Sequence, residues 1–162
     1  MDDIMKKKKA AEVYAALCAA LDSVNWKYSK GEDNQGNPEV EFSVSGDDLA
    51  MEFTMKLDIK RQLVRLHSQL PFKFKGDKRL IGAIATSQAN YKLADGSFDI
   101  DLGGGAVYFR MTASYRDSVL SKEAFLYLVR ASYNIVDEYN DKFYDLATGR
   151  MLLAEYFEAI GA

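Results

Sequence analysis

Cysteine and histidine are scarce in this sequence, a net positive charge and long apolar runs are lacking, and each shortage removes a class of function. Cys18 is the only cysteine, so the 162-residue chain can form no intrachain disulfide and no four-cysteine zinc site. A reducing cytoplasm is therefore the expected location. His67 is the only histidine, which excludes two-histidine metal motifs and leaves any zinc ion to carboxylates. With 21 Lys plus Arg against 24 Asp plus Glu, the formal charge is −3. That balance speaks against nucleic acid as the main partner, because phosphate binding draws on clustered positive charge. No stretch approaches the ~18 apolar residues of a membrane span. Lys6 to Lys9 followed by alanines imitate a secretory signal, but Glu12 interrupts the apolar part and Asp22 closes it. Ala15-Ala16-Leu17-Cys18 lacks the lipoprotein pattern as well. A soluble, unexported protein is expected, with neither membrane nor nucleic acid as a partner.

What is present is material for a core: 48% of the residues are hydrophobic and 12% aromatic. One domain over 1–162 accommodates them, with its core at about 10–146 and a terminal amphipathic helix at 148–162. Ala10, Val13, Tyr14, Leu17, Leu21 and Val24 recur at steps of three and four, which predicts a helix from Ile4 to Val24. Lys30 to Pro38 read as a loop. Beyond Pro38 the period drops to two. Val40-Phe42-Val44, then Met51-Phe53-Met55-Leu57, then Val64-Leu66-Leu70 alternate with polar neighbours, as in an antiparallel meander with one oily face. Pro71 closes that section. Asp77 is placed to cap a helix over 78–91 that buries Leu80, Ile81, Ile84, Ala85 and Tyr91. Strands at Phe98-Ile100-Leu102 and Val107 to Tyr115 follow, then a long helix opened by Ser121 and running to about Leu146. Strands and helices do not alternate as a parallel sheet requires. The fold class is α+β: an antiparallel sheet of five to six strands packed by the N-terminal and long C-terminal helices.

Few residues carry chemistry. Gly103-Gly104-Gly105 lead into a strand rather than a helix, so they read as a hairpin connection and not as a phosphate cradle. Asp95, Ser97, Asp99 and Asp101 have the spacing that starts a calcium loop, but Ile100 and Ala106 stand where Gly and Glu are needed. His67 shares a strand face with Arg65 and Gln69 and reads as a surface imidazole. Cys18 reads as a core or boundary thiol rather than a nucleophile. No catalytic residue, cofactor or metal site is expected. Tyr108, Tyr127, Tyr133, Tyr144, Tyr156 and Phe157 fall outside the core drawn from periodicity. They fit either a protein-protein interface, with Tyr108, Tyr156 and Phe157 as its contacts, or a thick core around the long helix.

Leu21 with Trp26-Lys27-Tyr28, the paired strands ending in Leu70-Pro71, Asn90-Tyr91, Gly96-Ser97-Phe98-Asp99 and Val107-Tyr108-Phe109-Arg110 form a pattern. From about Val13 to Tyr144 that pattern resembles the YbjN family, bacterial proteins described as sensory transduction regulators. Thr148 onward lies outside it. The resemblance implies a type III secretion chaperone-like fold and a non-enzymatic, dimeric, chaperone-like module that presents a sheet and helix surface to another protein. The favoured expectation is thus a protein-binding or regulatory module that self-associates through a helix or an edge strand, and an open edge could accept an extended peptide. The rival is a small-anion or metabolite binder, or an enzyme, using Arg65, His67 and Arg110 on the polar sheet face.

Overall fold

The computed structural model describes residues 2–162. Helix α1 spans Asp3–Ser23 and is opened by Asp2, whose carboxylate accepts the Met5 N–H at 2.8 Å. Six strands follow: β1 (Ser29–Glu32), β2 (Pro38–Ser45), β3 (Ala50–Asp58), β4 (Leu63–Lys73), β5 (Ser97–Ile100) and β6 (Ala106–Ser114). Helix α2 (Lys78–Lys92) lies between β4 and β5, and α3 (Lys122–Thr148) and α4 (Leu153–Ala159) follow β6. The strands make one antiparallel sheet in the order β1-β2-β3-β4-β6-β5.

Period-two alternation decides which face is covered. Val40, Phe42, Met51, Phe53, Met55, Leu57, Val64, Leu66, Leu70, Val107, Phe109 and Met111 all point to one side and are buried there. Helices α1 and α3 pack on that side, α1 over β2 and β3 and α3 over β3, β4 and β6. The long helix supplies Phe125, Leu128, Val129, Val136, Tyr139 and Phe143, the residues its periodicity singled out. Each such side chain removed from water contributes ~1.5–3 kcal/mol. Phe98 is the aromatic hub, with ring centroids 5.2 Å from Phe109, 5.5 Å from Tyr139 and 5.0 Å from Phe143. At the other end Trp26 meets Phe42 edge-on at 5.7 Å and stacks on Tyr133 at 5.9 Å.

Four details differ from the sequence expectation. The 30–38 loop is shorter than its composition suggests: β1 occupies its start, and Asp33 ties the turn by accepting the Gln35 and Asn37 N–H groups at 2.9 Å. Strand β4 continues through Pro71 to Lys73. It tolerates the proline because its pairing with β3 ends at His67 and its register with β6 shifts between Gln69 and Lys73. Leu102 is exposed in the β5–β6 turn rather than alternating within a strand. The fourth difference, the orientation of α2, bears on function.

Candidate functional site

Helix α2 was expected to bury Leu80, Ile81, Ile84, Ala85 and Tyr91; Ala85 is buried and Ile81 packs against the core, but the other three face outward. Its buried positions are Gly82, Ala85, Thr86 and Ala89, whereas Leu80, Ile84 and Tyr91 are 68%, 47% and 85% exposed. The cause is the distance at which the helix docks. A Cβ on Gly82 would lie 2.7 Å from both Ile100 Cδ1 and Phe74 Cδ2, so the small side of the helix sits hard against β5 and the end of β4. A side chain at Gly82 has no room there. Leu80, Ile84 and Tyr91 are left as a stripe over three turns, filled in by Ala83, Ser87 and Gln88, with no charged side chain in it. The helix is fixed in this attitude. The Arg79 guanidinium donates to the Leu102 and Gly103 carbonyls at 3.1 and 2.8 Å, Lys92 Nζ donates to the Gly161 carbonyl at 2.6 Å, and Tyr156 Oη donates to the Ala85 carbonyl at 2.8 Å. The i, i+3, i+7 series Gly82, Ala85, Ala89 is the sequence signal for this orientation.

The two sheet edges differ. On β5, the outward N–H of Phe98 donates to Asn90 Oδ1 at 2.7 Å and Asn90 Nδ2 donates to the Phe98 carbonyl at 2.9 Å, so one side chain of α2 takes the place of a neighbouring strand. On β1, all four residues are exposed and β2 is the one strand neighbour. The sheet is therefore closed at one edge and open at the other.

The polar face brings Arg65, His67 and Arg110 together, as alternation required. His67 lies directly opposite Arg110 on β6, and Arg65 opposite Lys56 on β3. Their partners are already in place. Arg110 grips Asp99 with Nε 3.2 Å from Oδ2 and Nη2 3.3 Å from Oδ1. Arg65 and Arg61 share Asp58 at 3.6 and 3.1 Å. Burial raises the Asp58 pKa, but the Arg61 N–H, the Arg61 guanidinium and the Arg65 charge outweigh it and hold the carboxyl below its ordinary value. His67 is half-buried and its pKa is lowered, first by desolvation and then by the Lys56 and Arg65 charges. A cleft of about 540 Å³ between Arg65, Arg110, Asp95 and Ser97 opens here. Its cations are paired, and His67 is not among its lining residues. Tyr108 is half-buried on the same face, opposite Gln69.

Tyr156 is not a surface residue. It is 0% exposed and packs on Phe143 at 6.0 Å, and burial pushes its phenol well above the ordinary value of 10.0. Phe157 beside it is half-buried. Of the other marginal aromatics, Tyr133 and Tyr144 pack against Trp26 and Phe72, and Tyr127 is exposed with its hydroxyl donating to Asp95. Tyr133, Tyr144 and Tyr156 thicken the core around α3; α4 packs against α2 and α3 and carries Tyr156 inward.

The apparent phosphate loop and calcium loop dissolve into local bonds. Asp101 accepts the Gly103 and Gly104 N–H groups at 2.9 and 3.1 Å, so the glycine amides are held by the chain's own carboxylate. Asp95, Asp99 and Asp101 go to three different partners: Tyr127, Arg110 and this turn.

No protein-family model matches the chain, and no curated protein is similar to it. Two solved structures are. A chain of the ExsC-ExsE complex is 16% identical, with a TM-score of 0.56 over 82% of this chain and 93% of the other. A chain of the HopA1-SchA chaperone-effector complex is 14% identical, with a TM-score of 0.49 over 76% of this chain and 87% of the other. At such identity the likeness is one of fold. Among the described residues the fold is α+β, a six-stranded antiparallel sheet with four helices, similar in fold to the matched chain of the ExsC-ExsE complex. Among the described residues no helix is long and apolar enough to cross a membrane.

Proposed function

We propose that this protein is a non-enzymatic, chaperone-like module that binds another protein or peptide and works as a homodimer joined through α2. The observation that carries the reading is the exposed stripe Leu80, Ile84 and Tyr91. Three large apolar side chains on one helix face mark a surface meant to be covered. A second copy is the occupant its chemistry suits. The stripe contains no charge, so apposing two copies buries none, and Ala83 and Ser87 allow close approach. Arg79 in the first turn and Lys92 in the last are tied to carbonyls of their own chain. The partner chain's place in this reading is the open β1 edge, where an extended segment adds as a strand by main-chain hydrogen bonds. ExsC was solved in complex with ExsE, a precedent for partner binding on this fold. The free, buried thiol of Cys18 accords with a reducing compartment.

Light scattering tests the dimer. Wild type is expected at twice the monomer mass, and Leu80→Glu with Ile84→Glu at the monomer mass with helix and strand signals intact. A wild type that stays monomeric at high concentration contradicts the reading. The rival anion site on the polar face gains nothing from the geometry, since its arginines already hold Asp58 and Asp99.

A further inference from the structure

A second cleft of about 540 Å³ opens where the first turns of α1 meet the β1–β2 and β3–β4 turns, lined by Lys6, Lys7, Gln35, Asn37, Lys60 and Arg61. Its three lysines make no ion pair among the described residues. Lys6 and Lys7 sit at the positive end of the α1 dipole, where a cation costs stability rather than adding it. Of the carboxylates at the cleft, Asp58 is already shared by Arg61 and Arg65, which leaves Asp3 against the three lysines. On a chain of net charge −3, this is a local surplus of positive charge.

The walls are set firmly. Asp58 accepts the Arg61 N–H at 2.8 Å, and Asn37 Oδ1 accepts the Ile59 N–H at 3.1 Å, which ties the two turns to each other. The same bonds say what kind of anion fits. Phosphate cradles work by pointing free backbone N–H groups at the ligand. Here the amides of Gln35 and Asn37 go to Asp33 Oδ1 and that of Gly36 to the Asp33 carbonyl, while the Arg61 fork is spent on Asp58. What remains is a set of lysine ammonium groups, point charges on flexible stems that impose little geometry. The geometry points to an acidic stretch of polypeptide, a run of Asp or Glu side chains in the partner, as the occupant of this cleft. The inference rests on the protein-binding reading above and adds the chemistry of the partner. Lys8 and Lys9 continue the positive surface along α1, so the acidic stretch is steered toward the protein as well as held by it.

Fluorescence anisotropy of a labelled octaglutamate peptide with the full-length chain tests it, at about 20 and about 300 mM salt, because exposed charges are screened over that range. Wild type is expected to bind at low salt and to weaken at high salt. Lys6→Glu with Lys7→Glu and Lys60→Glu is expected to lose about tenfold or more, and the equal charge change Lys27→Glu with Lys75→Glu and Lys122→Glu to stay within about twofold. Should the charge-reversed variant melt abnormally, the Lys→Gln version at the same three positions carries the test. Equal loss in both variants, absence of wild-type binding at low salt, or displacement by tripolyphosphate at lower concentration than by unlabelled octaglutamate would each overturn it. A dimer that fails to bind octaglutamate sinks the cleft alone, and a monomer that binds it sinks the dimer alone.

Discussion

Tyr156 shows how a single residue changes meaning between sequence and structure. As one of several tyrosines outside the periodic core it invited a surface role, yet its ring is buried against Phe143 and its hydroxyl is satisfied by the Ala85 carbonyl. Tyr156→Ala is therefore expected to destabilise the fold by about 3–5 kcal/mol, the range for removing a buried aromatic ring. Urea titration measures this, and a loss below about 1 kcal/mol would put the ring back on the surface. His67 gives a second expectation. Its folded pKa lies below the ordinary 6.5 because of desolvation and the Lys56 and Arg65 charges. The unfolded chain then binds the proton more readily than the folded one, so His67 contributes stability that is present above pH 6.5 and is lost as the pH falls through the folded value. Melting temperatures between pH 7.5 and 5.5 should fall more for wild type than for His67→Gln; parallel curves would show that the imidazole is free in water.

At the scale of elements, the strands were legible because one face is dry and one wet, and period two records that directly in Val40 to Leu70. The long helix was legible for the same reason, and Ser121 caps it as its type suggests, accepting the Ala124 N–H at 3.1 Å. Helix α2 was not, because a hydrophobic pattern says which residues share a side but not whether that side faces the core. Close docking at Gly82 decided it, and contact with Phe74 and Ile100 is a tertiary fact absent from local sequence. The sealing of β5 was equally hidden: an asparagine at the end of a helix carries no sign that it will mimic a strand. Asn90→Ala removes both bonds to Phe98 and should cost about 1–3 kcal/mol while leaving an exposed, pairing-competent edge. Faster hydrogen exchange at the Phe98 amide and a greater tendency to aggregate are expected. An unchanged exchange rate would mean the edge is protected by something other than Asn90.

For the molecule as a whole, the arrangement is a sheet roofed on one side, closed at β5 and open at β1, with an uncharged apolar stripe on the helix that closes it. The fold class could be read from alternation, and Arg65, His67 and Arg110 were correctly brought to one face. Their ion pairs with Asp58 and Asp99 could not be read, since those partners lie on neighbouring strands and turns. The proposed docking surface lies where the core expectation failed, at Leu80, Ile84 and Tyr91. The central claim is that two copies meet across Leu80, Ile84 and Tyr91, and the single native cysteine makes it directly measurable. In a Cys18→Ser background, Ile84→Cys is expected to give a covalent dimer under mild oxidation, while Val119→Cys, at a fully solvated position elsewhere, is expected to stay monomeric. Equal crosslinking at both positions, or none at Ile84→Cys, would contradict the account.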